Sequence, residues 1–255
     1  MPHLAKHQLV EIRKLTTGQF RKRFQKSRPP KYGSLNKGFT EQELNQFFRA
    51  IDNDKFRLLF SYQSQLGLRI GEAIRLNVQD IKFETRELKV KTEKAGTLDV
   101  LLIPMTLFKA TIEYIQTNSR SIEQAGGYLF FKEPGKSQNQ QPHIDMNYAR
   151  NVFRHYLTRA NLDETYDEST ESVPNRATRS LHRLTTHSLR HYAITKFASQ
   201  SNGNVFLTSK FARHRKPNVT MNYINLNKKD LYENTDGAFS VDQAMRLKSR
   251  LSSKK

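Results

Sequence analysis

Apolar residues recur at helical spacing from Leu44 onward. Leu44, Phe47, Phe48 and Ile51 mark one face of a helix, and Thr40-Glu41-Gln42-Glu43 before them has the form of a capping box. Phe56, Leu59 and Phe60 mark a second helix that ends at Gly67, a residue suited to a helix C-terminus. A short third helix is predicted from about Gly71 to Asn77, which places Arg69 in the tight joint between helices. The pattern then changes to strands at Glu87–Val90 and Leu98–Ile103, a hairpin around Lys94-Ala95-Gly96. Further helices are expected at 106–118, 146–160, 187–199 and 204–213, with the polar stretch Ser137–Pro142 as a loop. Residues 161–184 are neither periodic nor apolar. Their acidic half (Asp163, Glu164, Asp167, Glu168, Glu171) gives way to a basic half (Arg176, Arg179, Arg183), and they read as a long loop. The expected fold is mainly α with a small antiparallel β-sheet, and no internal repeat is visible.

Charge narrows the partner. Lys and Arg number 43 against 24 Asp and Glu, a net charge of +19 over 255 residues. Such a surplus repels itself and points to a polyanion, with binding that weakens steeply as salt rises. Charge alone does not separate DNA from RNA. No apolar run approaches the ~18 residues of a membrane helix, and the N-terminus (Met1–Lys6) has no apolar signal core. The absence of cysteine removes disulfides, thiol nucleophiles and zinc–cysteine sites. These features predict a cytoplasmic protein with a polyanionic partner and no membrane partner.

Arg69, Arg190, His187, His214 and Tyr223 are the residues whose chemistry suits a phosphodiester. Attack on that bond needs an activated nucleophile, cations for the nonbridging oxygens and a proton for the departing alkoxide. A tyrosine must lose its proton as it attacks, which neighbouring cations favour. Two guanidinium forks can hold phosphate oxygens bidentately. Histidines can donate to phosphate or accept the phenol proton, and a lysine can protonate the leaving 5′ oxygen. The scheme needs no metal and no cofactor.

Three segments carry a family resemblance. Gly67-Leu68-Arg69-Ile70-Gly71-Glu72-Ala73-Ile74-Arg75-Leu76, with Asp80-Ile81, resembles the first arginine box of the tyrosine recombinases, the phage integrase family. Thr185-Thr186-His187-Ser188-Leu189-Arg190-His191-Tyr192-Ala193 resembles the histidine–arginine box. Ala212-Arg213-His214 through Thr220-Met221-Asn222-Tyr223 resembles the closing segment that bears the nucleophile. The likeness spans roughly residues 38–230.

That resemblance implies a catalytic set of Arg69, Lys94, His187, Arg190, His214 and Tyr223. Tyr223 would become joined to the DNA 3′ phosphate and free a 5′ hydroxyl. Arg69 and Arg190 would grip the scissile phosphate, His187 would assist proton transfer, and His214 would hydrogen-bond a nonbridging oxygen. Lys94 would be the general acid, with Lys91 and Lys89 as alternatives. Glu72 and Asp80 read as structural hydrogen-bonding residues, and His191 as a packing residue. The partner would be double-stranded DNA bearing recombination sites, bound by a homo-oligomer, a synaptic tetramer. The activity would be site-specific recombination. A type IB topoisomerase-like enzyme and a catalytically inactive DNA-binding regulator are the alternatives.

The expected organisation is a basic arm and linker at 1–38, with ten Lys or Arg and one acid, and a helix around Leu9–Phe24. A catalytic domain at 39–230 and a C-terminal tail at 231–255 follow, the tail packing either on its own core or on a neighbouring subunit. Three features depart from the family pattern. Arg213 stands where a glycine is usual, the loop before His187 is long, and the amino-terminal side is short for a separate DNA-clamping domain, as in small catalytic-domain-only members.

Overall fold

The computed structural model describes residues 38–93, 96–132, 141–169, 179–214 and 217–221. The expected N-terminal helix, Lys94, Tyr223 and the C-terminal tail lie outside them. The chain divides into two compact units, Met1–Tyr192 and Ala193–Lys255, with the division inside one helix. The architecture is mainly helical with a small antiparallel sheet.

In the first unit, α1 (Glu41–Ala50) begins where the sequence marks it. The Glu43 amide donates to Thr40 Oγ1 at 3.2 Å, and the Thr40 amide donates to Glu43 Oε2 at 2.9 Å. Helix α2 (Asp54–Leu66) is capped by Asn53 and stopped by Gly67, whose left-handed φ of 59° suits a residue without Cβ. The next helix, α3 (Ile70–Ala73), is shorter than the expected Gly71–Asn77. The reason is Asn77, which is extended and caps a following 3-10 turn, Val78–Asp80. Its Oδ1 accepts from the Gln79 amide at 3.1 Å, and its own amide donates to Asp80 Oδ2 at 3.0 Å.

The hairpin is present and gains a strand. β1 (Ile81–Lys82), β2 (Glu87–Lys91) and β3 (Leu98–Leu102) form one antiparallel sheet in the order β1-β2-β3. Val90 and Leu88 face the core, whereas Leu98, Val100 and Leu102 on the edge strand are 56–62% exposed. By register, Lys91 and Lys89 lie opposite Leu98 and Val100. Helices α4 (Met105–Thr117), α5 (Ser119–Gln124) and α6 (Met146–Arg159) follow. Their core is aromatic: Phe47, Phe60 and Phe153, from α1, α2 and α6, meet with ring centroids 5.0–5.6 Å apart. Tyr62 ties α2 to α4 through a 2.9 Å hydrogen bond with Thr111 Oγ1. Burial pushes the Tyr62 phenol up to about 12, against that hydrogen bond, so it stays neutral.

The segment expected as a long loop contains a ribbon. β4 (Thr165–Ser169) pairs antiparallel with β5 (Arg179–His182), with an irregularity between Thr165 and Asp167. Its base is held by charge. Arg183 bonds both Glu43 of α1 and Glu164, while Asp163 accepts from Arg154 and lies 2.9 Å from His182 Nδ1. An acidic, non-alternating strand gives no hydrophobic signal, which is why periodicity does not reveal it.

The remaining helices are α7 (Thr186–Gln200), within which the division falls, α8 (Val205–Ala212) and α9 (Pro217–Met221). In the second unit Phe197 and Phe211 stack with centroids 4.3 Å apart. Among the described residues no helix is long and apolar enough to cross a membrane.

Glu43 links α1 to the ribbon, and its titration should be readable in stability. Burial works against its carboxylate, but the Thr40 amide and Arg183 outweigh burial and hold the pKa below the ordinary value. A lowered folded-state pKa adds stability above the unfolded-state pKa, and that stability disappears as pH falls through the folded value. Thermal melts of Glu43→Gln should therefore lie below wild type at pH 7, and the gap should close as pH drops through the acidic range.

Candidate active site

Arg69 is held by a reciprocal grip with Glu72. It is the N-cap of α3, with extended backbone. Its amide donates to Glu72 Oε2 at 2.9 Å, and its Nη1 donates to Glu72 Oε1 at 2.7 Å. The Glu72 side chain has no solvent exposure and that of Arg69 retains 20%. A buried carboxylate opposite a guanidinium limits its rotamers.

Arg190 reaches the same joint from α7. Its side chain is 1% exposed, the largest side chain fully buried among the described residues. Its Nη1 donates to the carbonyl of Gly67, two residues before Arg69. The left-handed Gly67 turns that carbonyl out of the α2 hydrogen-bond ladder, where a guanidinium can receive it. The peptide units around Arg69 thus adjoin the helix that carries His187 and Arg190.

His187 lies in the first turn of α7 and is exposed. The turn is tied by two bonds: the Ser188 amide donates to Thr185 O at 2.8 Å, and the Thr185 amide donates to Ser188 Oγ at 3.0 Å. The partial positive charge of a helix N-terminus favours an anion there. The His187 ring meets the His191 ring edge-to-face at 5.9 Å.

A residue that motif reading passes over also lies at this joint. Gln63 of α2 is fully buried, and its Nε2 donates to Leu68 O at 3.3 Å and Thr186 O at 3.4 Å. Among the described residues its buried Oε1 has no hydrogen-bond partner, a deficit of about 1–3 kcal/mol. The available signal is a polar residue at a core position of α2, three residues from both Phe60 and Leu66. Gly71, within the first arginine box, matters for the side chain it lacks. A Cβ there would lie 1.8 Å from Glu93 Oε1, so the absent side chain makes room for Glu93, which pairs with Arg75 at 3.5 Å.

In the second unit, His214 follows α8. Its Nδ1 is 3.0 Å from Thr220 Oγ1 on α9, and Ser209 Oγ donates to its carbonyl at 3.3 Å. Thr220 has no exposure. Arg213 caps α8 with φ 54° and ψ 43°, a left-handed conformation. The glycine-like turn expected before the histidine is therefore kept, with arginine occupying it. Of the six sequence-derived site residues, Arg69, His187 and Arg190 are brought to one joint. His214 belongs to the other unit, and Lys94 and Tyr223 lie outside the described residues.

The profile of the phage integrase family matches residues 37–230. The chain is 29% identical over 134 residues to tyrosine recombinase XerA of Pyrococcus horikoshii, covering 52% of this chain and 44% of that protein. The matched stretch thus spans under half of that relative's length. Among solved structures, the crystal structure of XerA recombinase aligns with a TM-score of 0.56 at 19% identity, over 80% of this chain and 65% of that one. XerH site-specific recombinase bound to difH substrate in a pre-cleavage complex aligns with a TM-score of 0.55 at 16% identity, over 78% and 53%. At such identities the likeness is one of fold.

Arg213 offers a direct test of the turn before His214. A non-glycine residue in the left-handed region costs about 1–2 kcal/mol. Arg213→Gly should therefore raise unfolding stability by about 1 kcal/mol in a denaturant melt. A loss would show that the arginine side chain contributes more than its backbone costs.

Proposed function

The chain belongs to the phage integrase family, and from that membership we propose that it is a site-specific DNA recombinase acting through a covalent 3′-phosphotyrosine. The supporting observation is the shared joint, where Arg190 donates to Gly67 O and Arg69 is locked two residues later by Glu72. Two guanidiniums fixed on adjoining backbone suit one phosphate.

In this reading Arg69 and Arg190 hold the scissile phosphate and offset charge on its nonbridging oxygens. The Tyr223 phenol gives up its proton with help from His187, and its oxygen forms the bond to phosphorus. The bond from phosphorus to the 5′ oxygen breaks, and Lys94, or Lys91 in its place, protonates that oxygen. His214, with Nδ1 engaged by Thr220, would donate to phosphate through Nε2. A 5′ hydroxyl from a second strand reverses these steps, so bond energy is conserved and no ATP is consumed.

Residues 1–38 would act as a basic arm, 39–230 as the catalytic domain and 231–255 as a tail. Double-stranded DNA with recombination sites would be bound by a homo-oligomer, a tetramer at synapsis. The net charge of +19 supplies the sequence-independent part of that affinity. No specific observation favours the type IB topoisomerase alternative.

The decisive experiment is trapping. Incubation of the chain with sheared host DNA should yield a protein–DNA adduct that survives denaturation and is absent in Tyr223→Phe. An adduct that persists in that variant removes Tyr223 as nucleophile. No adduct with wild type favours the inactive regulator.

A further inference from the structure

Gln63 is a fully buried polar residue on a face of α2 whose neighbours are apolar. Leu59 and Phe60 precede it by four and three residues, Leu66 follows by three, and all are buried. The amide makes two long hydrogen bonds, at 3.3 and 3.4 Å, and its own oxygen has no donor among the described residues. An unmet buried acceptor offsets part of what two such long bonds return, so stability alone is a weak reason for glutamine at this position.

The two acceptors do account for it. Leu68 O belongs to the peptide group that leads into Arg69, and Thr186 O to the one that leads into His187. A carboxamide nitrogen carries two hydrogens in one rigid plane. Shared between these carbonyls, it fixes the spacing of two peptide groups far apart in sequence. The Arg190 bond to Gly67 O acts on the neighbouring peptide group of the same joint. Side chains at 63, 190 and 72 thus hold the consecutive residues 67, 68 and 69.

We propose that Gln63 is a positioning residue for strand cleavage, setting the separation between Arg69 and His187 through the backbone that precedes each. The inference rests on the recombinase reading, since it assigns Gln63 a role only through residues that reading makes catalytic. Misplacing a reacting group by about an ångström costs up to about a hundredfold in rate. Loss of a bridge made of two long hydrogen bonds should lie below that limit.

The test uses Gln63→Met, which keeps length and approximate volume but removes both donors. The probe is a nicked duplex carrying the sequence recovered from adducts that the full-length wild-type chain traps on sheared host DNA. Single-turnover cleavage should fall about tenfold, with affinity for the same duplex within twofold and the melting temperature equal to wild type or higher. The backbone carbonyl 13C resonances of Leu68 and Thr186 should move together in the variant. Should Gln63→Met fail to fold, Gln63→Asn, which withdraws the same donors by one methylene, gives the same comparison.

A cleavage rate within twofold of wild type overturns the proposal. So does a fall in rate matched by weaker binding and a lower melting temperature, which marks an ordinary core residue, and so do unmoved Leu68 and Thr186 resonances. A wild-type chain that traps no adduct refutes the recombinase reading itself and the catalytic role with it. An adduct formed at undiminished rate by Gln63→Met refutes the positioning role alone.

Discussion

A guanidinium with 1% of its surface in solvent is an expensive group to bury, and Arg190 is that group. Its donation to the Gly67 carbonyl offsets part of that cost. The bond requires α2 to end in a left-handed residue, so that a carbonyl is turned toward α7. It also requires α7 to begin where Thr185 and Ser188 begin it, so that position 190 comes round to that carbonyl. Much of the first unit can be seen as scaffolding for this contact. The aromatic cluster of Phe47, Phe60 and Phe153 fixes α2 against α1 and α6, and Tyr62 fixes it against α4.

The same joint shows how charge is handled in a chain with so large a cationic surplus. Glu72 is buried opposite Arg69, Glu43 and Glu164 share Arg183, and Asp163 meets Arg154 and His182. Several of the scarce acids are thus placed on cations that must keep one orientation. Lysines such as Lys89 and Lys91, exposed on the sheet, have no such partner in their strand register, where they face aliphatic residues.

What could be read from the sequence follows from how each element is held. Helix α1 was legible because Thr40 and Glu43 cap it and its apolar face repeats. The end of α2 was legible because Gly67 is the residue that end requires. The short α3 was not, since Asn77 redirects the chain through local hydrogen bonds that periodicity ignores. The β4–β5 ribbon was illegible for a different reason: ion pairs at its base, not an alternating apolar face, hold it. In the site, motif order pointed to Arg69, His187 and Arg190 at one place. Gln63 escaped because its two acceptors are backbone carbonyls brought near only by the folded joint.

The outer edge of the sheet carries a practical consequence. Among the described residues β3 is an edge strand of the sheet, and Leu98, Val100 and Leu102 stand exposed along it. Such edges invite pairing with other chains, and neighbouring lysines are a common guard against it. Here the guard is Lys89 and Lys91, and its reach is electrostatic. In the concentrated salt needed to strip nucleic acid from so basic a protein, that repulsion is screened to a few ångströms. Conditions that clean the preparation are therefore those under which this strand is most prone to self-association, so a moderate ionic strength with a competing polyanion is the safer route to homogeneous material.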